Sequence, residues 1–159
     1  MTNPDLCIVL IFVSSVIAFS STMAETQPDA AMLAPVEKIA RFIETCEDTN
    51  LSGFAESGVV IIENFTPHLF SGPDAVALWA KEMRNHLKGV TDLKHRFGPA
   101  RNFTVDGEIA FLSLPTNWTG IANGHSFSED GGWAFVLVEQ GGEWRVRNYG
   151  WAVTGLLVE

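Results

Sequence analysis

The second half of the chain is a series of long β-segments joined by glycine turns, and this limits the fold more than any other feature. Leu93–Val105 is one candidate strand, irregular around Gly98-Pro99. Asp106-Gly107 predicts a two-residue hairpin turn, because such turns need positive φ and glycine supplies it. Glu108–Trp118 returns, and Gly120–Gly124 turns the chain again. His125–Glu139 follows, interrupted at Glu129–Gly132. Gly141-Gly142 makes another hairpin turn, and Glu143–Val158 is the last strand. Strands tied this tightly pair antiparallel.

Ahead of this meander the apolar residues recur at helical spacing. Pro35 fits a first helical position, and Val36, Ile39, Ala40 and Ile43 predict a helix from about Pro35 to Asp48. A second, short helix is expected over Leu51–Ser57, ended by Gly58. Val59–Asn64 reads as a strand whose four adjacent branched residues imply burial on both faces. A third helix starts at Pro73, carries Val76, Trp79, Met83 and Leu87 on one face, and stops at Gly89. Helices first and a long meander afterwards is an α+β arrangement.

The chain has 159 residues and is 47% hydrophobic, with 11 Phe and 5 Trp. That is enough for one domain with a real core and excludes a disordered chain. Residues 6–19, LCIVLIFVSSVIAF, are an apolar run too short for a membrane-spanning helix of about 20 residues. With Thr22-Met23-Ala24 resembling a cleavage site, residues 1–24 are expected to be a signal peptide and the protein secreted or periplasmic. The leading MTNPD has no Lys or Arg, which leaves an uncleaved anchor as the alternative. Residues 25–34 then form a leader and 35–158 the domain, with no stable membrane span in the mature chain. The net charge is -9 and no basic stripe occurs, so nucleic acid is not an expected partner. Cys46 would be the one cysteine left after cleavage, read as a small buried residue late in the first helix. No metal-ligand spacing, phosphate loop or dinucleotide motif occurs, so no metal or cofactor is expected.

Glu63 ends the apolar strand just before the break at Thr66-Pro67, a position from which a charged group can serve a pocket. Its apolar surround would suit a general base; the alternative is a solvated or Arg-paired strand end. His68, in the loop above, could share a proton with Glu63 or hold a ligand oxygen, or simply be exposed. Trp79 is a core residue or a ligand contact. Trp118, near a strand end, suits a pocket wall. On the last strand Trp144, Val146, Asn148, Gly150 and Ala152 share one face, and Arg145, Arg147, Tyr149 and Trp151 the other. The first set is assigned to the concave side, which makes Asn148 a polar point for a ligand. A bulge near Gly150 would bring Trp151 inside. The Arg/Tyr/Trp face has the composition of a dimer contact, or its arginines are solvated partners of acids.

Two motifs, VVIIENFTPHLFSGPDAVALWA and GGEWRVRNYGWA, resemble in order and spacing the nuclear transport factor 2-like superfamily over about Ala34 to Leu156. The exported SnoaL-like and ketosteroid-isomerase-like proteins look closest. The resemblance implies a curved antiparallel sheet wrapped over N-terminal helices like a cone, a pocket at the open end, and pairing as a homodimer through the sheet. The superfamily includes isomerases, cyclases, dehydratases and plain binders, so function has to come from the site. In the ketosteroid-isomerase-like pattern a carboxylate base stands nine residues before the helix-preceding glycine, and Glu63 stands nine before Gly72. That pattern also takes a Tyr from the first helix. Here that helix has Phe42, and the only Tyr is Tyr149. The expectation is a protein that binds a small, largely apolar molecule. One alternative is a cofactor-free isomerase, lyase or cyclase with Glu63 as base. The other is a dimeric interaction module.

Overall fold

The structure is a computed structural model that describes residues 27–159. The expected signal peptide lies outside the described residues. Helix α1 spans Ala30–Thr45. Asp29 caps it, its Oδ1 accepting from the Met32 N–H at 2.9 Å. That cap starts the helix upstream of Pro35, which sits inside it, so residues 30–34 are helix and not leader. At the other end Cys46 turns left-handed (φ 58°) and its N–H bonds Phe42 O at 2.7 Å, closing the helix before Asp48. Cys46 is a free thiol and only half-buried. The short helix lies over Asp48–Gly53, earlier than expected. A Cβ at Gly53 would come within 2.5 Å of Pro35 O, so this turn docks on α1 only through a glycine.

Strand β1, Val60–Ile62, is not buried on both faces. Val59, Ile61 and Glu63 are buried while Ile62 is 53% exposed, because no layer covers the outer side of the sheet there. After the cis Thr66-Pro67 bond the chain forms β2, Leu69–Phe70, which pairs back on β1. The segment between is thus a hairpin and not an open loop. Helix α2, Ala75–His86, buries Ala75, Trp79, Ala80 and Met83.

The expected Leu93–Val105 strand is two: β3, Val90–Phe97, and β4, Arg101–Asp106, separated at Gly98-Pro99. Then come β5, Ile109–Ala122, β6, His125–Gln140, and β7, Glu143–Val158. The first tight turn is Gly107-Glu108, since Asp106 already pairs with Ile109. The second narrows to Asn123-Gly124, both at positive φ. β6 passes through Glu129–Gly132 without a break. The sheet order is β2-β1-β7-β6-β5-β3, with β4 also on β5, and among the described strand pairs only β1–β7 is parallel. Because α1 packs against both β7 and the far strand β3, the sheet has to curl around it. Register shifts at Thr91/Lys94, Asp130/Gly131 and Val136/Leu137 supply the bends. The result is the α+β architecture that the element order implies: a mixed, largely antiparallel sheet over N-terminal helices.

The core is aromatic. Trp79 meets Phe42 at 5.1 Å and Phe54 at 5.3 Å, and Trp133 meets Phe135 at 5.2 Å and Tyr149 at 5.6 Å. Among the described residues no helix is long and apolar enough to cross a membrane.

Candidate functional site

Alternation along β1 turns Glu63 inward, behind Ile61, where it is 5% exposed. Parallel pairing of β1 with β7 places Ile61 opposite Tyr149 and so brings Tyr149 alongside. One oxygen, Glu63 Oε1, accepts two hydrogen bonds. Trp79 Nε1 donates from α2 at 3.0 Å, and the Tyr149 hydroxyl donates from β7. Burial pushes the Glu63 carboxyl up to about 7, although the Tyr149, Trp79 and Asn64 donors favour its charged form. Burial and the neighbouring Glu63 charge drive Tyr149 well above its usual range, so it stays a neutral donor.

Glu63 opens on a cavity of about 330 Å³. The sheet wall is Trp118, Phe127, Trp133 and Trp151, and Ile43 and Met83 close the helix side. A second carboxylate, Glu129, stands on the same wall. It is half-buried, and Trp151 Nε1 donates to its Oε1 at 3.3 Å. Burial raises its carboxyl too, against the Trp151 bond, and its charge adds to the rise at Glu63. Gly131 makes this possible. A Cβ there would lie 2.3 Å from Trp151 Cη2, so the bare position seats the indole that reaches Glu129. At the rim His86 stacks on Phe65 at 4.6 Å, and partial burial holds it below the usual histidine range.

Of the residues picked out from sequence, Glu63, Trp118 and Trp151 meet at this cavity. Trp79 does not line it; its indole holds Glu63 from the core side. His68 is a correction. The β1–β2 hairpin carries it outward, where it is exposed, and its ring meets only the backbone oxygen of Glu63, with Nδ1 at 3.2 Å. Asn148 is another. Val136 pairs with Asn148 but Leu137 pairs with Val146, so Arg147 is an extra residue and the faces swap there, before Gly150. Val146, Tyr149 and Trp151 therefore point inward, and Asn148 does not line the cavity. The same bulge removes the proposed Arg/Tyr/Trp contact face, since Tyr149 and Trp151 are buried within the domain.

Tyr149 and Glu129 are site residues that the sequence does not single out. The pairing of β1 with β7 has no local signal. Gly131, at an inward position between Glu129 and Trp133, is the one available clue to the second. His95 lies elsewhere. That ring ties β3 to α1, its Nδ1 2.8 Å from Glu44 Oε1 and its Nε2 3.2 Å from Glu37 Oε2, away from the cavity. Among the described residues no group of His, Cys, Asp or Glu side chains is arranged to hold a metal ion.

A curled sheet closing on helices around one aromatic cavity defines a cone-type pocket protein. No protein-family model and no curated protein matches the chain. Solved structures do. Hexachlorocyclohexane dehydrochlorinase LinA-type3 from Novosphingobium barchaimii superposes with a TM-score of 0.69 at 10% identity, over 82% of this chain and 88% of that one. An NTF2-like superfamily protein from Salmonella enterica serovar Typhimurium gives 0.60 at 17% identity, over 76% and 89%. A candidate ketosteroid isomerase from Shewanella frigidimarina gives 0.62 at 18%, over 78% and 96%. The fold is thus nuclear transport factor 2-like, as the two motifs implied, and at these identities the likeness is one of fold.

Proposed function

We propose that the protein binds a small, largely apolar molecule in the cone cavity, with Glu63 as its main polar anchor. The observation that carries this reading is a buried carboxyl group opening on a cavity walled by three tryptophans. A mostly apolar pocket with a few fixed polar groups is the usual form of a small-molecule site. Two of the structural neighbours are named for hexachlorocyclohexane and a ketosteroid, both compact ring molecules with largely apolar bodies. The test is a ligand screen by thermal shift on the wild type and on Trp118→Ala. Compounds that stabilise the wild type should lose their effect in the variant. Unchanged shifts in a folded Trp118→Ala protein would remove the reading.

Glu63 also favours a second reading, a cofactor-free isomerase, lyase or cyclase. A carboxylate that titrates at about 7 is suited to take a proton from carbon at neutral pH and return it. Tyr149 and Trp79 would hold its Oε1 and leave Oε2 for the substrate. Compounds that bind are assayed for conversion, and any turnover found should fall by roughly a hundredfold or more in Glu63→Gln. A rate that survives excludes Glu63 as the base.

A further inference from the structure

We propose that the ligand of this cavity is a cation: an apolar body bearing a positively charged nitrogen, held between Glu63 and Glu129 against the indoles of Trp118, Trp133 and Trp151. This rests on the cavity reading above and adds a charge to it.

Among the described residues the cavity lacks a counter-charge for its carboxylates. Glu63 and Glu129 are both withdrawn from water, and each is held by neutral donors, an indole N–H for Glu129 and an indole N–H, a phenol and the Asn64 backbone N–H for Glu63. Neither joins an ion pair among the described residues. Among the described residues no arginine lines the cavity, and the one lysine that does, Lys88, is exposed after α2, at the rim. Buried carboxylates without a cation are disfavoured as ions, and a cationic ligand would restore both to their charged form.

The aromatic wall has a shape that suits a cation. The β5–β6 register sets Trp118 opposite Glu129, and the β6–β7 register sets Trp133 opposite Trp151. Trp118 and Trp133 lie 5.8 Å apart at 75°, and Trp133 and Trp151 5.7 Å apart at 76°. Rings meeting edge-to-face form corners instead of a flat stack, and a cation seated over an indole face in such a corner is attracted by the ring. Indole is the strongest of the aromatic partners for such a contact. The carboxylates and the corner share residues, because Trp151 touches both Trp133 and Glu129.

The experiment compares three probes of one size by quenching of tryptophan fluorescence. They are benzyltrimethylammonium, its uncharged carbon isostere neopentylbenzene, and the anion 3-phenylpropionate. At pH 8.5 the cation should bind at least about tenfold more tightly than the isostere, and the anion should not bind. The preference should shrink in Glu129→Gln and in Glu63→Gln, and at pH 5 in the wild type. Lower pH also moves His86 at the rim toward its charged form, although burial holds it below the usual histidine range, so the Gln variants, which leave it unchanged, isolate the carboxylates. Equal or tighter binding of the isostere, or a cation preference unchanged in both variants, overturns the proposal. If the isostere binds equally and its binding is lost in Trp118→Ala, the cavity reading stands and only the charge falls. If no probe binds, both fall.

Discussion

Replacing Glu63 by Gln should make the protein more stable at alkaline pH, an unusual outcome for a buried residue with two hydrogen bonds. Gln keeps the shape and keeps an oxygen to accept from Trp79 and Tyr149. What it removes is the ionisation. The carboxyl's folded value of about 7 lies above its ordinary 4.5, so the native state holds the proton more tightly than the unfolded chain. The contribution of Glu63 to stability is therefore fully present below about 4.5, declines as pH rises, and is lost above about 7. A gap of about 2.5 pH units at roughly 1.4 kcal/mol each corresponds to about 3 kcal/mol. The assay is urea unfolding followed by tryptophan fluorescence, at pH 4.5 and pH 8.5, on both proteins. Wild type and Glu63→Gln should be nearly equal at pH 4.5, and the variant should be more stable by about 3 kcal/mol at pH 8.5. Glu129 is present in both proteins, so the difference reads Glu63 together with its repulsion from Glu129. A variant less stable than wild type at pH 8.5, or a difference that does not change with pH, would refute the reasoning.

Three further outcomes follow from named contacts. Gly131→Ala should destabilise by about 2 kcal/mol, because the new methyl collides with the Trp151 ring and Ala152 O; loss of near-ultraviolet dichroism from the displaced indole would accompany it, and an unchanged melting curve would deny the seat. Glu44→Ala should cost about 2 kcal/mol by cutting α1 from β3, and much less in a His95→Ala background. Burial raises the Glu44 carboxyl but its bonds from His95 outweigh that and hold it below 4.5, so this stabilisation is present above 4.5 and is lost as pH falls through the lower folded value. His68→Ala should leave the titration of Glu63 in place, since the ring reaches only the backbone; a displaced midpoint would put His68 back in the site.

The parts of this molecule that could be read from sequence are those with local causes. Gly141-Gly142 bounds β7 at Glu143 because both turn residues need positive φ. Glu63 could be picked out because a carboxylate at the end of an apolar strand is anomalous by itself. Alternation alone would have shown it facing inward, had Ile62 not suggested burial on both faces. What could not be read depends on distant partners or on single-residue shifts. The Arg147 bulge moves Asn148 out of the cavity and Tyr149 into it, and one extra residue leaves no mark in composition. Tyr149 meets Glu63 through a parallel pairing between strands at opposite ends of the chain. Asp29 overrode the proline signal at Pro35 because a capping side chain satisfies amides that a proline only omits. His68 sat close to Glu63 in sequence, yet the hairpin turned it away.

The Glu63 carboxyl group stands in an aromatic cavity, out of water and, among the described residues, without a counter-ion. The decisive measurement is the titration of the Glu63 side-chain carboxyl carbon by carbon-13 NMR in isotopically labelled wild-type protein, with Glu63→Gln to assign the resonance. The expected midpoint is close to 7. A midpoint at the ordinary 4.5 would contradict it and leave the cavity without its anchor.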